Sequence, residues 1–228
     1  MRRTLRTAWR IARKDVVIEA RSRELVYTTL FFSVACVLIF AFGLVRDGHA
    51  PEEASPAILW ATIVFAGTLA LGRTFERERE SETLRALLLA PSERAAVYLG
   101  KLAGLLLLMA GVEITVLLLV GLLFSAPLLR APWLLAGLLA TGTLGFACVG
   151  TLFAAMLMRA RSRDVLLPVV LFPIVIPVVI AGVRGTAAIF AAEADLPTAL
   201  MWLGMLVFFD AVFVTLALWT FGPVMSEG

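Results

Sequence analysis

Two carboxyl groups draw attention first, because nothing ionic surrounds them. Glu113 and Asp210 are the only charged residues within the long apolar stretches of the 228-residue chain, near the middles of runs 102–125 and 196–221. A carboxylate taken into hydrocarbon is costly unless it is paired, protonated or wet, and an acid at that depth is a functional candidate by default. No Lys or Arg falls inside any of the apolar runs to pair with them. Two chemistries fit. Each acid is either a protonated group that hydrogen-bonds between helices or to a second copy, or a station on a polar substrate path, with proton-coupled transport as its strongest form. Little else in the chain can do chemistry. The single histidine, His49, cannot assemble a metal or proton site alone, and Cys36 and Cys148 stand apart with no CxxC, haem-attachment or zinc spacing, as small core residues do. Gly100-Lys101 is the only approach to a phosphate-binding GxxxxGK[ST] loop, but Ala95 replaces its first glycine and Leu102 its hydroxyl residue. The chain therefore has no catalytic residue for ATP hydrolysis, and neither GxSxG nor HExxH occurs. The expectation is a non-catalytic protein with no metal site of its own.

The elements that must position the two acids follow from composition. Apolar residues make up 61% of the chain and charged residues 16%, with a mean hydropathy of +0.96, whereas soluble domains average about 45–50% and 25%. Six runs are long enough to cross the bilayer as helices: about 25–45, 54–72, 102–125, 131–158, 165–183 and 196–221. None alternates as the strands of a membrane barrel must, so an all-α membrane protein is predicted. Lys and Arg number eight before the first run, six in the segment 73–101 and three in 159–163, against three (Arg46, Arg130, Arg184) on the other side. The positive-inside rule then places both termini of this multi-pass membrane protein in the cytoplasm. The basic residues sit at membrane edges rather than in one patch, which argues against nucleic acid as a partner despite the net charge of +3. Trp60, Trp133 and Trp202 fall near the outer ends of spans two, four and six and Trp219 near the inner end of the last, where aromatic belts lie.

Outside the bilayer, residues 1–24 carry Leu5, Ala8, Trp9, Ala12, Val16 and Ala20 at helical steps among basic residues, the pattern of an amphipathic helix lying in the cytoplasmic headgroup region. Residues 25–225 form the membrane domain, including the cytoplasmic loop 73–101. In that loop a run of alternating charges leads to Leu84, Leu87 and Leu88 at helical spacing, and Pro91 ends one helix where Ser92 can cap the next. The resulting short helix is either a connector on the bilayer surface or a docking element for a cytoplasmic partner. Pro168, Pro173 and Pro177 are expected to bend or break span five, as a hinge, a pathway wall or a static kink. Residues 187–192 suggest an interfacial or partly re-entrant helix in the outer loop 184–196. Small-residue stripes on span four, Gly137/Thr141/Gly145 and Ala147/Thr151/Ala155, permit close helix approach, chiefly within one subunit.

Taken together, KDVVIEARSRE (14–24), FERERESETLRALLLAPSERAAVYLGK (75–101), LGFACVGTLFAAM (144–156) and RARSRDVLLPVVLFPIVIPVVIAG (159–182) resemble, in order, the CcmB family, the haem exporter B permeases of the cytochrome c maturation ABC transporter. The loop departs from the family's usual form at Ser81, where glycine is expected. The resemblance implies an exporter-type ABC permease of six spans whose loop helix is the coupling helix. Two copies of the chain would pair with two copies of a CcmA-like ATPase, which holds the ATP. Glu82, Thr83, Leu84, Leu87, Leu88 and Pro91 would enter a groove on that subunit, with Arg79 and Arg94 flanking the contact. CcmC-like, CcmD-like and CcmE-like maturation proteins are the implied membrane partners besides lipid, with a role in releasing the haem-loaded chaperone CcmE. Haem would be handled by the complex, with no cofactor bound directly by this chain. The rivals are a related ABC exporter permease for a lipid or drug, a non-transporting membrane scaffold for the ATPase, and an ion-coupled transporter using Glu113 and Asp210.

Overall fold

The computed structural model describes residues 6–14, 17, 23–44, 54–80, 94–157, 160 and 162–227. A short helix α1 (6–14) precedes six long ones, α2 (Glu24–Leu44), α3 (Ser55–Glu80), α4 (Arg94–Leu123), α5 (Pro132–Met156), α6 (Arg163–Phe190) and α7 (Leu196–Glu227). Each of the six contains a segment long and apolar enough to cross a membrane. Among the described residues there is no strand, as hydrocarbon demands of any open structure whose backbone must satisfy itself.

The helices are not equivalent. The apolar windows of α3 and α5 are 67% and 72% buried, against 22% for α2 and 17% for α7, so α3 and α5 form the centre. Helices α2 and α4 lie against α3, α7 lies against α5 and α6, and α6 also touches α3. The outer helices spend one face on the bundle and the other on lipid. On α4, Leu105, Met109, Val112, Val116 and Val120 point in while Leu107, Ile114, Leu118 and Leu122 point out, the two sides of a 3.6-residue period.

Helix α5 is central because its glycines admit side chains from two sides. Gly137 faces Leu203 and Gly145 faces Phe209 and Asp210, all on α7, whereas Gly142 faces Trp60 and Gly150 faces Leu71, both on α3. Each pair is eight residues apart, so each pair lies along one face of the helix. The stripe Gly137/Thr141/Gly145 thus serves packing within one chain.

Several expectations need correction. Trp60 is not an interfacial tryptophan: it is 1% exposed, within the core. A tryptophan near a span end can either reach the headgroups or turn inward when small residues open a slot for it, and the glycines of α5 and α6 provide one. Span three is longer than its charge-free run, since α4 begins at Arg94 and Lys101 is buried inside it; the long aliphatic stem of lysine tolerates this near a helix end. The three prolines lie inside α6 without breaking it. Each proline removes one backbone bond, but no water in hydrocarbon competes for the remaining ones. Nor is there a separate outer helix at 187–192. Helix α6 simply continues to Phe190, and Arg130 donates to the carbonyl oxygens of Phe190 (3.5 Å) and Ala191 at its end, where a cation suits the helix dipole. Asp195 then starts α7, accepting from the Thr198 backbone N–H at 3.0 Å; the hydrogen bonds from Thr198 hold its carboxyl below the usual aspartate range. Finally, α1 buries Ala8, Ile11 and Ala12 and leaves Trp9 65% exposed. Its inward face meets Gly100 through Ile11 and the Ala8 carbonyl, so this face is occupied by protein rather than lipid.

Candidate functional site

Both intramembrane acids face α5, from opposite neighbours. Glu113 comes from α4, half-buried, and the Thr143 hydroxyl of α5 donates to its Oε1. Asp210 comes from α7 and is 7% exposed. Its Oδ1 lies against Gly145, where an added Cβ would come within 2.7 Å of it. Neither of its carboxyl oxygens has a hydrogen-bond partner among the described residues. Glycine at 145 is what lets the carboxyl lodge there, and stacking of Phe209 on Phe213, with centroids 4.2 Å apart, braces α7 beside it.

One turn further along α5, Tyr98 of α4 donates its hydroxyl to the Cys148 carbonyl at 3.0 Å and lies 2.9 Å from the Cys148 Sγ. Tyr98 and Cys148 are both fully buried. Thr143, Gly145 and Cys148 thus carry a short polar column, supplied by Glu113 and Tyr98 on one side and Asp210 on the other. Cys148 fits the expectation of a small core residue, with an added role as acceptor. Among the described residues no three His, Cys, Asp or Glu side chains gather where they could hold a metal ion. Chemically the column can hold protons and hydrogen bonds.

The sequence singled out Glu113 and Asp210 but not Thr143, Tyr98 or Cys148. No sequence signal marks Thr143 as the partner of an acid 30 residues away. Tyr98 is detectable only once α4 is known to begin before Lys101. The structure does not bring the other candidates to this column: Pro168 and Pro177 are half-buried and Pro173 exposed on α6. The docking candidates Glu82, Thr83, Leu84, Leu87, Leu88 and Pro91 lie outside the described residues, as does His49. Arg79 and Arg94 belong to the facing ends of α3 and α4, with side chains outside the described set.

The family model described as "CcmB protein" matches residues 6–226. The chain is 31% identical over 196 residues to Heme exporter protein B of Escherichia coli (strain K12), covering 83% of this chain and 84% of that one. It is 26% identical over 198 residues to Heme exporter protein B of Pseudomonas aeruginosa, covering 86% of each.

Proposed function

The chain belongs to the CcmB family of ABC transporter permease subunits, and from that membership we infer that it serves cytochrome c maturation, coupling ATP hydrolysis by a separate CcmA-like ATPase to movement of its own helices. It is a multi-pass inner-membrane protein with six helices long enough to span. The observation that supports coupling best concerns the helices flanking the loop. Helix α3 has 26 residues and α4 has 30, about 39 and 45 Å at 1.5 Å per residue, against roughly 30 Å of hydrocarbon. The apolar part of α3 ends at Thr74, and the helix continues to Glu80 through a charged stretch suited to water rather than lipid. In this reading Leu84, Leu87 and Leu88 enter the ATPase, Glu82, Thr83 and Pro91 shape the helix that presents them, and Arg79 and Arg94 flank it. Two chains pair with two ATPase copies. CcmC-like and CcmD-like proteins join them, and the stroke releases the haem-loaded CcmE-like chaperone. Both termini and the loop face the cytoplasm, and Pro168, Pro173 and Pro177 give α6 the reduced stiffness of a hinge.

The test is complementation. In a strain lacking its own permease of this family, the chain expressed with its cognate ATPase should restore haem-stained c-type cytochromes; absence of staining with both proteins present in the membrane would refute the maturation role. The same assay reads the acids. If Glu113 and Asp210 are uncharged packing groups, Glu113→Gln and Asp210→Asn should retain most of the maturation. Glu113→Leu, which leaves the Thr143 hydroxyl unsatisfied at a cost of about 1–3 kcal/mol, should lose much of it. Equal loss in the amide and leucine variants, at unchanged protein level, would instead identify a proton site. Orientation is checked by thiol labelling in a background without Cys36 and Cys148. His49→Cys and Glu193→Cys should react in intact cells and Arg79→Cys and Ser162→Cys only after permeabilisation; labelling of position 79 in intact cells would reverse the topology.

A further inference from the structure

Trp60 occupies a slot made by two other helices. Its indole lies against Gly142 of α5 and Gly182 of α6, and a Cβ added at either glycine would overlap the ring. Its Nε1 donates to Thr186 Oγ1 of α6 at 2.9 Å, within the core, and Thr186 is fully buried. The joint is unlike the others around it. Leu71 on Gly150, Leu138 on Gly185 and the Phe146 ring on Gly67 have no hydrogen bond at the glycine they cover, but Trp60 is a flat ring between two bare backbones, fastened at its edge by one hydrogen bond. Leaving the slot costs the ring its packing on both glycines and one hydrogen bond, so release needs work applied from outside the joint, and water can replace the broken polar bond once the ring is out.

The position of the joint matters as much as its form. Trp60 lies in the second turn of α3, and the helix then continues without a break to Glu80, about 30 Å along the axis. The far end of the same helix leads into the segment that the proposed function docks to the ATPase. A displacement applied there is carried by a continuous helix to the opposite end, where Trp60 touches both α5 and α6.

We propose that Trp60, seated between Gly142 and Gly182 and tied to Thr186, is a releasable closure at the end of the bundle away from the loop, opened when the ATPase stroke moves α3. This rests on the reading of the chain as an ATP-driven permease. Closed, the ring seals α3 to α5 and α6; open, it uncovers Thr186 and the bare backbones of Gly142 and Gly182.

The test uses Thr186→Cys, a near-isosteric change, in a chain without Cys36 and Cys148, purified with its ATPase in nanodiscs and treated with a membrane-impermeant maleimide. Without nucleotide the thiol should resist labelling, and trapping with ATP and vanadate should accelerate it at least tenfold. Unchanged labelling in a trapped complex that hydrolysed ATP before trapping would overturn the closure while leaving the permease reading intact. Failure of any ATPase to co-purify would count against both. A second arm is independent of the ATPase: Trp60→Ala should expose position 186 without nucleotide. Trp60→Leu, which keeps apolar bulk but not the flat ring that fills the slot between Gly142 and Gly182, should raise labelling severalfold as well. If both variants label as slowly as the parent, the ring does not cover Thr186 and the proposal fails.

Discussion

Replacing Gly182 by leucine should remove most of the folded protein from detergent extracts, and Gly142→Leu should do nearly the same. At both positions the Cβ alone would overlap the Trp60 ring, so the ring must leave its slot or the helices must separate. Neither is cheap. Helix α6 packs on α3, α5 and α7, so it cannot back away without opening the other contacts. Overpacking a well-filled core costs about 1–3 kcal/mol by itself. Displacing a buried tryptophan forfeits contacts whose removal costs about 3–5 kcal/mol in large-to-small substitutions, and the indole–Thr186 hydrogen bond adds about 1 kcal/mol. The combined loss approaches the whole stability of a typical domain, about 5–15 kcal/mol. The control lies elsewhere on the molecule. Gly111 and Gly204 have open space where a Cβ would stand, so Gly111→Leu and Gly204→Leu should extract like the parent. Monodisperse yield and the unfolding midpoint of the purified protein measure the difference; a Gly182→Leu protein as abundant and stable as Gly204→Leu would show that Trp60 does not sit in the slot.

The membrane character, the number of spans and the two acids were legible in the sequence, because hydropathy and isolated charges are local properties. Glu113 and Asp210 stand out against apolar neighbours whatever the fold. Their surroundings were not legible, since Thr143 meets Glu113 and Tyr98 meets Cys148 only through the packing of α4 on α5. Helix α5 gave half its role away: Gly137 and Gly145 announced a close approach, but their spacing does not say that α7 is the helix that approaches. Trp60 misled for a physical reason. A span-end tryptophan has two stable homes, and the choice depends on Gly142 and Gly182, which are 82 and 122 residues away in the chain. Lys101 does not mark the membrane boundary that its charge suggests, because the lysine stem is long enough to lie buried in α4. Proline chemistry overstated its effect on α6, which continues through Pro168, Pro173 and Pro177 because tertiary packing and the absence of competing water favour the helix.

In the proposed function the ATPase that drives this permease docks through the segment between α3 and α4. Leu84 and Leu87 stand at helical spacing in the sequence of that segment, outside any apolar run able to enter the bilayer. In the docked complex each leucine would bury apolar surface worth about 1.5–3 kcal/mol. An aspartate at the same place loses that contribution and must also be desolvated, which costs a further few kcal/mol. A total near 4 kcal/mol corresponds to roughly a thousandfold weaker Kd, enough to empty a pull-down. Insertion should be unaffected, because neither position belongs to a membrane span. The measurement is affinity capture of the co-expressed CcmA-like ATPase by the tagged chain from solubilised membranes, with parent, Leu84→Asp and Leu87→Asp at matched levels. Captured ATPase and ATP hydrolysis are expected with the parent and neither with the two variants. Wild-type capture of the ATPase by both would contradict this docking.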